Sequence, residues 1–183
     1  MEPFKICLVG HSASGKSSIL AALQNKAFNP YIPQTIQSNC WKYTHQNRSF
    51  KIYDTSGLDK FQKSTINCLK NSNLIIICFD SSSKRAQIHV EQWLNIVRTY
   101  KSVTPIVFIG TKTDKALKQQ NEYMQRLRER YPFYLTSASN PQGVKDVFRN
   151  IEQNLIIPNL VVERVQIRRR EDEEVKSGWF CFC

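Results

Sequence analysis

An eight-residue segment, GHSASGKS at Gly10–Ser17, constrains the fold of this chain more than any other feature. It fits the pattern G-x-x-x-x-G-K-[ST] and stands between a short apolar run, Phe4–Val9, and a segment of helical period, Lys16–Lys26. A loop of this kind attracts phosphate because its backbone amides and the N-terminus of the following helix both favour anions. The segment therefore predicts a strand, a phosphate-binding loop and a helix, in that order.

Strand-like apolar runs alternate with segments of helical period along the rest of the chain. The further runs, several of them apolar enough for strands with both faces covered, are Phe50–Asp54, Leu74–Asp80, Ile106–Gly110 and Phe133–Thr136. Apolar residues three and four apart indicate helices at Ile88–Tyr100, Leu117–Arg130 and Val144–Leu155. This alternation predicts an α/β fold with a mostly parallel, doubly wound sheet. The stretch from Cys40 to Asp54 has the pattern of a hairpin, which adds one antiparallel strand at the sheet edge.

Length and composition favour one domain with a basic surface. The 183 residues are 41% hydrophobic, which is enough for one well-buried core. The periodic pattern ends near Pro158, so we predict a domain at residues 1–158 and a flexible polar tail at residues 159–183. The formal net charge of +11 attracts polyanions in general. The tail holds equal numbers of basic and acidic residues, so the excess positive charge belongs to the domain.

The cysteine pattern and the hydropathy of the sequence indicate the cellular compartment in which the chain folds. The six cysteines show no regular framework, which indicates a reducing environment. The N-terminal segment, Met1–Ser12, lacks the basic and long apolar regions of a secretory signal, and the sequence has no apolar run of about 18 residues. We therefore expect a chain that neither crosses a membrane nor enters the secretory pathway. No RNA-binding or zinc pattern accompanies the basic charge, so nucleic acid is not an expected partner.

A second polar loop, GTKTD at Gly110–Asp114, follows an apolar run that is predicted to be a buried strand. This loop indicates which nucleotide base the site recognises. A carboxylate at Asp114 can accept hydrogen bonds from N1–H and the N2 amino group of guanine, a donor pair that adenine lacks. Farther along, TSAS at Thr136–Ser139 follows the last apolar run, where an amide near Ala138 can donate to guanine O6. The phosphate loop and these two base loops together predict a guanine nucleotide site.

With these motifs in this order, the chain resembles the small GTPases of the Ras superfamily, and most closely the Rab branch. The motifs that carry the resemblance are, in chain order, GHSASGKS, Thr35, DTSG, TKTD and TSAS. The resemblance covers roughly Phe4–Leu155. It implies the small G domain fold of the P-loop NTPases, with GTP or GDP and Mg²⁺ as cofactors.

The resemblance also assigns roles to the matched positions. It implies that the nucleotide is held by Gly10, Ser12, Ala13, Ser14, Gly15, Lys16, Ser17, Ser18, Phe28, Thr35, Asp54, Gly57, Thr111, Lys112, Asp114, Ser137, Ala138 and Ser139. Mg²⁺ would be bound by Ser17 and Thr35 and, through water, by Asp54. Lys16 would reach the β- and γ-phosphates, and Gly57 would donate its amide to the γ-phosphate.

The base site departs from the family pattern at two positions. Phe28 would lie edge-on to the guanine and Lys112 would lay its stem along the base, as in the family. Thr111, however, stands where the family usually has Asn, a choice that the Rho branch also makes. Ser139 replaces the usual Lys beside the base, so some stacking is lost. Because Asp114 is retained, we still expect selectivity for guanine.

Leu58, directly after the glycine of DTSG, is the departure that bears on catalysis. In the family this position normally holds a Gln that orients the attacking water. Leu has neither a donor nor an acceptor, so we expect normal GTP binding with low intrinsic hydrolysis. The candidates to replace the missing Gln are Asp59, Ser12 and a Gln supplied by a partner protein.

The chain ends in the tripeptide CFC, Cys181–Cys183. A C-a-a-X signal is excluded, because Phe180 and not Cys stands fourth from the end. The ending resembles the C-x-C signal on which Rab proteins carry two geranylgeranyl groups, here on Cys181 and Cys183. Stable anchoring usually needs two membrane signals, and two prenyl chains would supply both.

The sequence therefore predicts a prenylated, Rab-like GTP-binding switch in vesicle trafficking. It would act on the cytoplasmic face of intracellular membranes, with a cytosolic escorted pool. The resemblance implies four kinds of protein partner: an exchange factor, effectors, a prenyl-transfer escort and a GDP-dissociation inhibitor. One alternative is a Rho-like cytoskeletal switch, indicated by Thr111, although the interval from Asp114 to Thr136 leaves no room for the extra helix of Rho proteins. The other, favoured by Leu58, is a non-cycling module that holds GTP and recruits partners.

Overall fold

The computed structural model describes residues 2–36, 38–45, 48–57, 62–101, 103–115 and 122–156. The chain divides into two compact units, Met1–Val147 and Phe148–Cys183. All of the predicted nucleotide and metal ligands belong to the first unit. In the second unit, the described residues are the end of a helix and one turn of π-helix, Glu152–Ile156.

The described part of the first unit contains a six-stranded sheet. Its strands are β1 Phe4–Val9, β2 Asn39–His45, β3 Arg48–Asp54, β4 Leu74–Asp80, β5 Ile106–Thr111 and β6 Phe133–Leu135. Their order across the sheet is β2-β3-β1-β4-β5-β6. β2 is antiparallel to β3, whereas the other neighbouring strands are parallel. The predicted α/β fold, with one antiparallel strand at the edge of a parallel sheet, is confirmed.

The described helices are α1 Lys16–Leu23, α2 Gln62–Lys70, α3 Ala86–Tyr100, α4 Glu122–Arg130 and α5 Pro141–Ile151. A short 3₁₀ turn, Thr113–Lys115, follows β5. Helices α2 and α3 pack against each other, α2 contacts β1, α3 contacts β4 and α1 contacts β3. No helix in the described part of the chain is long and apolar enough to span a bilayer.

The central strand β4 is covered on both faces, which explains its apolar sequence. Its residues from Leu74 to Phe79 are at most 4% exposed. Ile75 and Ile77 lie in one core cluster with Trp93 of α3, and strand alternation turns Ile76 to the opposite face. Burial of each such side chain contributes roughly 1.5–3 kcal/mol, so this strand is a major source of the stability of the sheet.

Helix α1 is shorter than its sequence pattern predicts, ending at Leu23 rather than at Lys26. Asn25 has a φ of 61°, in the left-handed region. The amide of Lys26 donates to the carbonyl of Ala21 at 2.9 Å, and the amide of Asn25 donates to that of Ala22 at 3.0 Å. This pair of hydrogen bonds is a Schellman motif, which satisfies the last carbonyls of the helix and stops it.

Other boundaries differ by a few residues, and one helix was not predicted at all. α3 begins at Ala86 and α5 spans Pro141–Ile151, whereas residues 116–121, where the predicted fourth helix begins, lie outside the described residues. The sequence pattern did not predict α2, because its segment QKSTINCLK has few apolar residues and several Ser, Thr and Asn. Leu69 is fully buried in the core cluster, so tertiary packing stabilises a helix that local propensity does not.

Candidate nucleotide-binding site

The topology places the site-forming loops at one edge of the sheet. β1, β3, β4 and β5 are parallel, so their carboxyl ends, Val9, Asp54, Asp80 and Thr111, lie at the same edge. Ligands bind at this edge in open α/β sheets. The phosphate loop follows β1. The first base loop follows β5, and the second base loop follows β6.

The phosphate loop between β1 and α1 has a tightly constrained backbone. Gly10 has a φ of +147°, and a Cβ added there would lie 2.1 Å from the carbonyl oxygen of Cys78. That distance is far below van der Waals contact, so only glycine fits. Ala13 has a φ of 59°, a left-handed conformation that costs about 1–2 kcal/mol for a residue with a Cβ. Strain of this kind is typical of functional loops that the surrounding structure holds in place.

Lys16 is a buried cation with neutral hydrogen-bond partners. Its Nζ donates to the carbonyl oxygens of Gly10 at 2.8 Å and His11 at 3.0 Å, and lies 3.5 Å from Oγ of Ser14. Burial lowers the pKa of Lys16, because a charged ammonium is disfavoured where water is excluded. An anionic phosphate at this loop would provide the opposite charge that these partners do not.

Three oxygen-bearing side chains from separate segments meet beside the phosphate loop. Oγ of Ser17 donates to Oδ2 of Asp54 at 2.6 Å and lies 2.9 Å from Oγ1 of Thr35. The other carboxylate oxygen of Asp54, Oδ1, is buried without a hydrogen-bond partner. Burial raises the pKa of Asp54, although the hydrogen bond from Ser17 and the charge of Lys16 act against this rise.

This trio fits a magnesium ion. Mg²⁺ prefers oxygen ligands and is commonly held by one or two carboxylates together with substrate phosphates. The unpaired buried Oδ1 of Asp54 is an acceptor that a metal-bound water would satisfy. Ser17 and Thr35 would supply hydroxyl ligands, and the bound ion would offset the charge of the nucleotide phosphates.

Gly57 lies directly against the phosphate loop. A Cβ added to Gly57 would lie 2.4 Å from the amide nitrogen of Ser12, 2.5 Å from the carbonyl carbon of His11 and 2.6 Å from the carbonyl oxygen of Gly10. Any side chain here would push the two loops apart. The close approach keeps the amide of Gly57 near the phosphate loop. Leu58, the next residue, lies outside the described residues.

At the base end, Asp114 contacts a residue of the second base loop. Oγ of Ser137 donates to Oδ1 of Asp114, and it also lies 2.8 Å from Oγ of Ser139. The amide of Ser139 donates to Oγ of Ser137 at 3.2 Å. Ser137 thus fixes one carboxylate oxygen of Asp114, and the other oxygen can face a ligand.

Lys112 is held by an acidic residue from a neighbouring strand. Its Nζ lies 2.8 Å from Oδ2 of Asp80, the last residue of β4. Partial burial raises the pKa of Asp80, but hydrogen bonds from Lys112 and Ser82 outweigh that effect and hold the pKa below its ordinary value. The ion pair fixes the ammonium end of Lys112 beside the end of β4.

A cleft of about 280 Å³ joins the phosphate end to the base end. The predicted ligands that line it are Ser12, Ala13, Gly15, Lys16, Ser17, Ser18, Phe28, Thr35, Gly57, Thr111, Lys112, Asp114, Ser137 and Ala138. Asp54 instead borders an adjacent cavity, together with Ser17 and Thr35. Three predicted ligands line neither the cleft nor the adjacent cavity: Gly10, Ser14 and Ser139.

Asp80 and Gln34 are among the residues near the predicted ligands that were not identified from the sequence. Asp80 pairs with Lys112, and the available signal was an acidic residue at the end of a uniformly apolar strand. Gln34 lines the cleft, and its Nε2 donates to Oγ of Ser12. Gln34 directly precedes Thr35, but its contact with the phosphate loop depends on how the intervening chain folds back, which no local pattern shows.

Comparison with known proteins agrees with this geometry. A model of the Ras family matches residues 5–157. The Ras-related protein Rab-18-B of Danio rerio is 28% identical over 191 residues, an alignment that covers 97% of this chain and 93% of the relative. The Ras-related protein Rab-15 of Homo sapiens is 28% identical over 182 residues, covering 94% of this chain and 85% of the relative.

Proposed function

Because the chain belongs to the Ras family of small GTPases, in its Rab-like branch, we propose that it is a membrane-anchored GTP-binding switch in vesicle trafficking. Family membership implies GTPase activity in general. The observation that carries the proposal is the cleft that the phosphate loop shares with a guanine-type carboxylate, bordered by the oxygen-ligand trio, of which Ser17 and Thr35 line the cleft and Asp54 the adjacent cavity. The volume of this cleft is close to the lower limit of typical ligand pockets.

Each part of the cleft has a defined task in binding. Lys16 and the loop amides hold the β- and γ-phosphates, and Ser17, Thr35 and Asp54 hold Mg²⁺. Bound Mg²⁺ supplies charge that stabilises the transferring phosphoryl group. Asp114 accepts from the guanine edge, while Phe28 lies against the base. A ligand that satisfies all three parts of the site must carry phosphates, bind Mg²⁺ and present a guanine edge. GTP and GDP meet these conditions, so they are the preferred ligands.

Hydrolysis transfers the γ-phosphoryl group to water. The water oxygen forms a bond to the γ-phosphorus, the bond from that phosphorus to the β,γ-bridging oxygen breaks, and GDP leaves with the electron pair. The proton lost by the water ends on inorganic phosphate. Leu58 cannot orient this water, so hydrolysis is slower than the family's intrinsic rate of roughly 10⁻⁴ s⁻¹ and the GTP state is long-lived.

The tail, residues 159–183, anchors the G domain of residues 1–158 to the membrane. Cys181 and Cys183 lie outside the described residues, and the proposal for them rests on the C-x-C ending. Two prenyl groups hold the protein on the cytoplasmic face of intracellular membranes, and an escort or a GDP-dissociation inhibitor maintains a cytosolic pool. An exchange factor loads GTP, and effectors bind the GTP state.

Nucleotide selectivity tests the proposal. We expect the purified protein to bind fluorescent GTP and GDP analogues in the presence of Mg²⁺ far more tightly than the ATP analogue. Asp114→Asn should weaken GTP binding steeply and favour xanthine nucleotides, whose exchanged donor and acceptor suit an amide. Asp146→Asn, a matched change on α5 outside the cleft, should leave binding unchanged. Equal affinity for GTP and ATP in the unmodified protein would refute a guanine-specific switch.

A further inference from the structure

Gln34 places a carboxamide in the cleft, at the phosphate end. It lines the cleft together with Ser12, Lys16 and Gly57, and its Nε2 donates to Oγ of Ser12. Ser12 belongs to the phosphate loop, and Gln34 belongs to the separate segment that carries Thr35. This contact is therefore a bridge between two loops that both face the phosphates.

Two further contacts locate this bridge relative to the reacting phosphate. Thr35, the neighbour of Gln34, has its Oγ1 2.9 Å from Oγ of Ser17 in the proposed metal site. Ser12 also lies against Gly57, where an added Cβ would be 2.4 Å from the Ser12 amide nitrogen. The amide of Gln34 thus contacts the same residue that Gly57 packs against. Leu58, where the family has its catalytic Gln, directly follows Gly57 in the chain.

We propose that Gln34 orients the attacking water for the slow hydrolysis that remains without a Gln at position 58. This inference rests on the proposed function, because it concerns GTP hydrolysis in the same cleft. Orienting a water requires an acceptor for its proton and a donor that can reach a phosphate oxygen. A carboxamide has both groups, and the side chain of Leu58 has neither.

The energy of the observed contact is compatible with this role. A neutral hydrogen bond such as that from Gln34 to Ser12 contributes only about 0.5–1.5 kcal/mol net. Hydrogen bonds to an ionised phosphate oxygen are roughly twice as strong. When GTP binds, Nε2 of Gln34 exchanges its bond to Ser12 for one to a γ-phosphate oxygen. Its Oε1 then accepts from the water that attacks the γ-phosphorus.

Single-turnover hydrolysis of preloaded GTP tests the assignment. Gln34→Ala should lower the rate by at least about tenfold, because a misplaced nucleophile loses much of its effective concentration. GTP affinity should change little, since Lys16, Ser17 and Thr35 remain. Gln92→Ala, on the exposed face of α3, is the matched control and should hydrolyse GTP at the unmodified rate.

A second readout does not depend on turnover. GDP with aluminium fluoride mimics the transferring phosphoryl group, and a residue that acts only in the transition state should be needed to bind it. Gln34→Ala should therefore lose affinity for GDP with aluminium fluoride while keeping its affinity for GDP. Equal rates in Gln34→Ala and the unmodified protein would overturn the proposal. A loss of GTP affinity that matches the loss of rate would also overturn it, because Gln34 would then serve binding alone. Failure of the unmodified protein to bind GTP would instead refute the proposed function.

Discussion

The hydroxyl of Thr111 donates a hydrogen bond of 2.7 Å to the backbone carbonyl of Ser14 and lies 3.1 Å from that of Phe79. Thr111 ends β5 beside the base loop, whereas Ser14 belongs to the phosphate loop. Thr111, Ser14 and Phe79 are all buried. One short side chain therefore ties the two ends of the cleft together, in the position where the family usually has Asn.

Thr111→Val should loosen this tie. The substitution keeps the shape but leaves the buried carbonyl of Ser14 without its donor, which costs about 1–3 kcal/mol. We expect a lower midpoint of urea unfolding and faster dissociation of fluorescent GDP. Thr111→Ser keeps the hydroxyl and should retain most of both properties. If Thr111→Val and Thr111→Ser behave alike, the hydroxyl is not what joins the loops.

The ion pair between Asp80 and Lys112 should make stability depend on pH. The folded state holds the pKa of Asp80 below its ordinary value of 3.8, so the pair stabilises the fold above about that pH. The stabilisation is lost as the pH falls through the lowered pKa. Because both side chains are partly exposed, we expect Asp80→Asn to cost about 1 kcal/mol or less at pH 7, with the difference shrinking at acidic pH. Urea unfolding of the two proteins from pH 7 to acidic pH measures the difference in stability. A difference that does not change with pH would contradict a stabilising role of the Asp80 charge.

A row of lysines across the sheet should be a site of repulsion. The register places Lys51 of β3 directly opposite both Lys5 of β1 and Lys42 of β2. Like charges that face each other across strands destabilise a sheet by about 0.2–1 kcal/mol per pair. Lys51→Glu should therefore raise the melting temperature, and more so at low ionic strength, where screening is weak. Lys84→Glu, in an exposed turn, should have a smaller effect, and an equal gain in both variants would show that only net charge matters.

Leu58→Gln should accelerate hydrolysis. It restores the family residue that orients the attacking water, so single-turnover hydrolysis of preloaded GTP should rise toward the family rate of roughly 10⁻⁴ s⁻¹ or above. The gain should also occur in a chain that carries Gln34→Ala, because the restored Gln acts from its own position. Equal rates with Leu and Gln at position 58 would show that this residue does not limit hydrolysis.

The two terminal cysteines should control membrane attachment. Replacing Cys181 and Cys183 together by Ser should move the protein from the membrane to the soluble fraction. Either single change should leave a weaker, partly soluble attachment, because one lipid chain alone gives only marginal binding. Fractionation of cells that express each variant measures this. Retention of the double variant on membranes would reveal a different anchor.

The sequence by itself determined the main architecture. The strands Phe4–Val9 and Leu74–Asp80 have the predicted bounds, because short and mostly apolar runs are removed from water when they form strands of a covered sheet. The phosphate loop could be identified from the sequence, because a phosphate-binding turn requires glycines and a lysine at this spacing within one short segment. Helix α2 was missed, since Leu69 is buried by elements remote in sequence and the local propensity is weak.

Only the tertiary structure decided which side chains act on one another. Asp80 and Lys112 are neighbours because β4 and β5 end at the same edge of the sheet, and Gln34 reaches Ser12 because its segment folds back over the phosphate loop. Such contacts join residues far apart in the chain, so neither periodicity nor a short motif encodes them. Buried strands are specified by the free energy of removing apolar surface from water, a property that each run carries within itself. Polar contacts at the site contribute little net energy each and depend on precise placement, which exists only after the sheet and its loops have packed together.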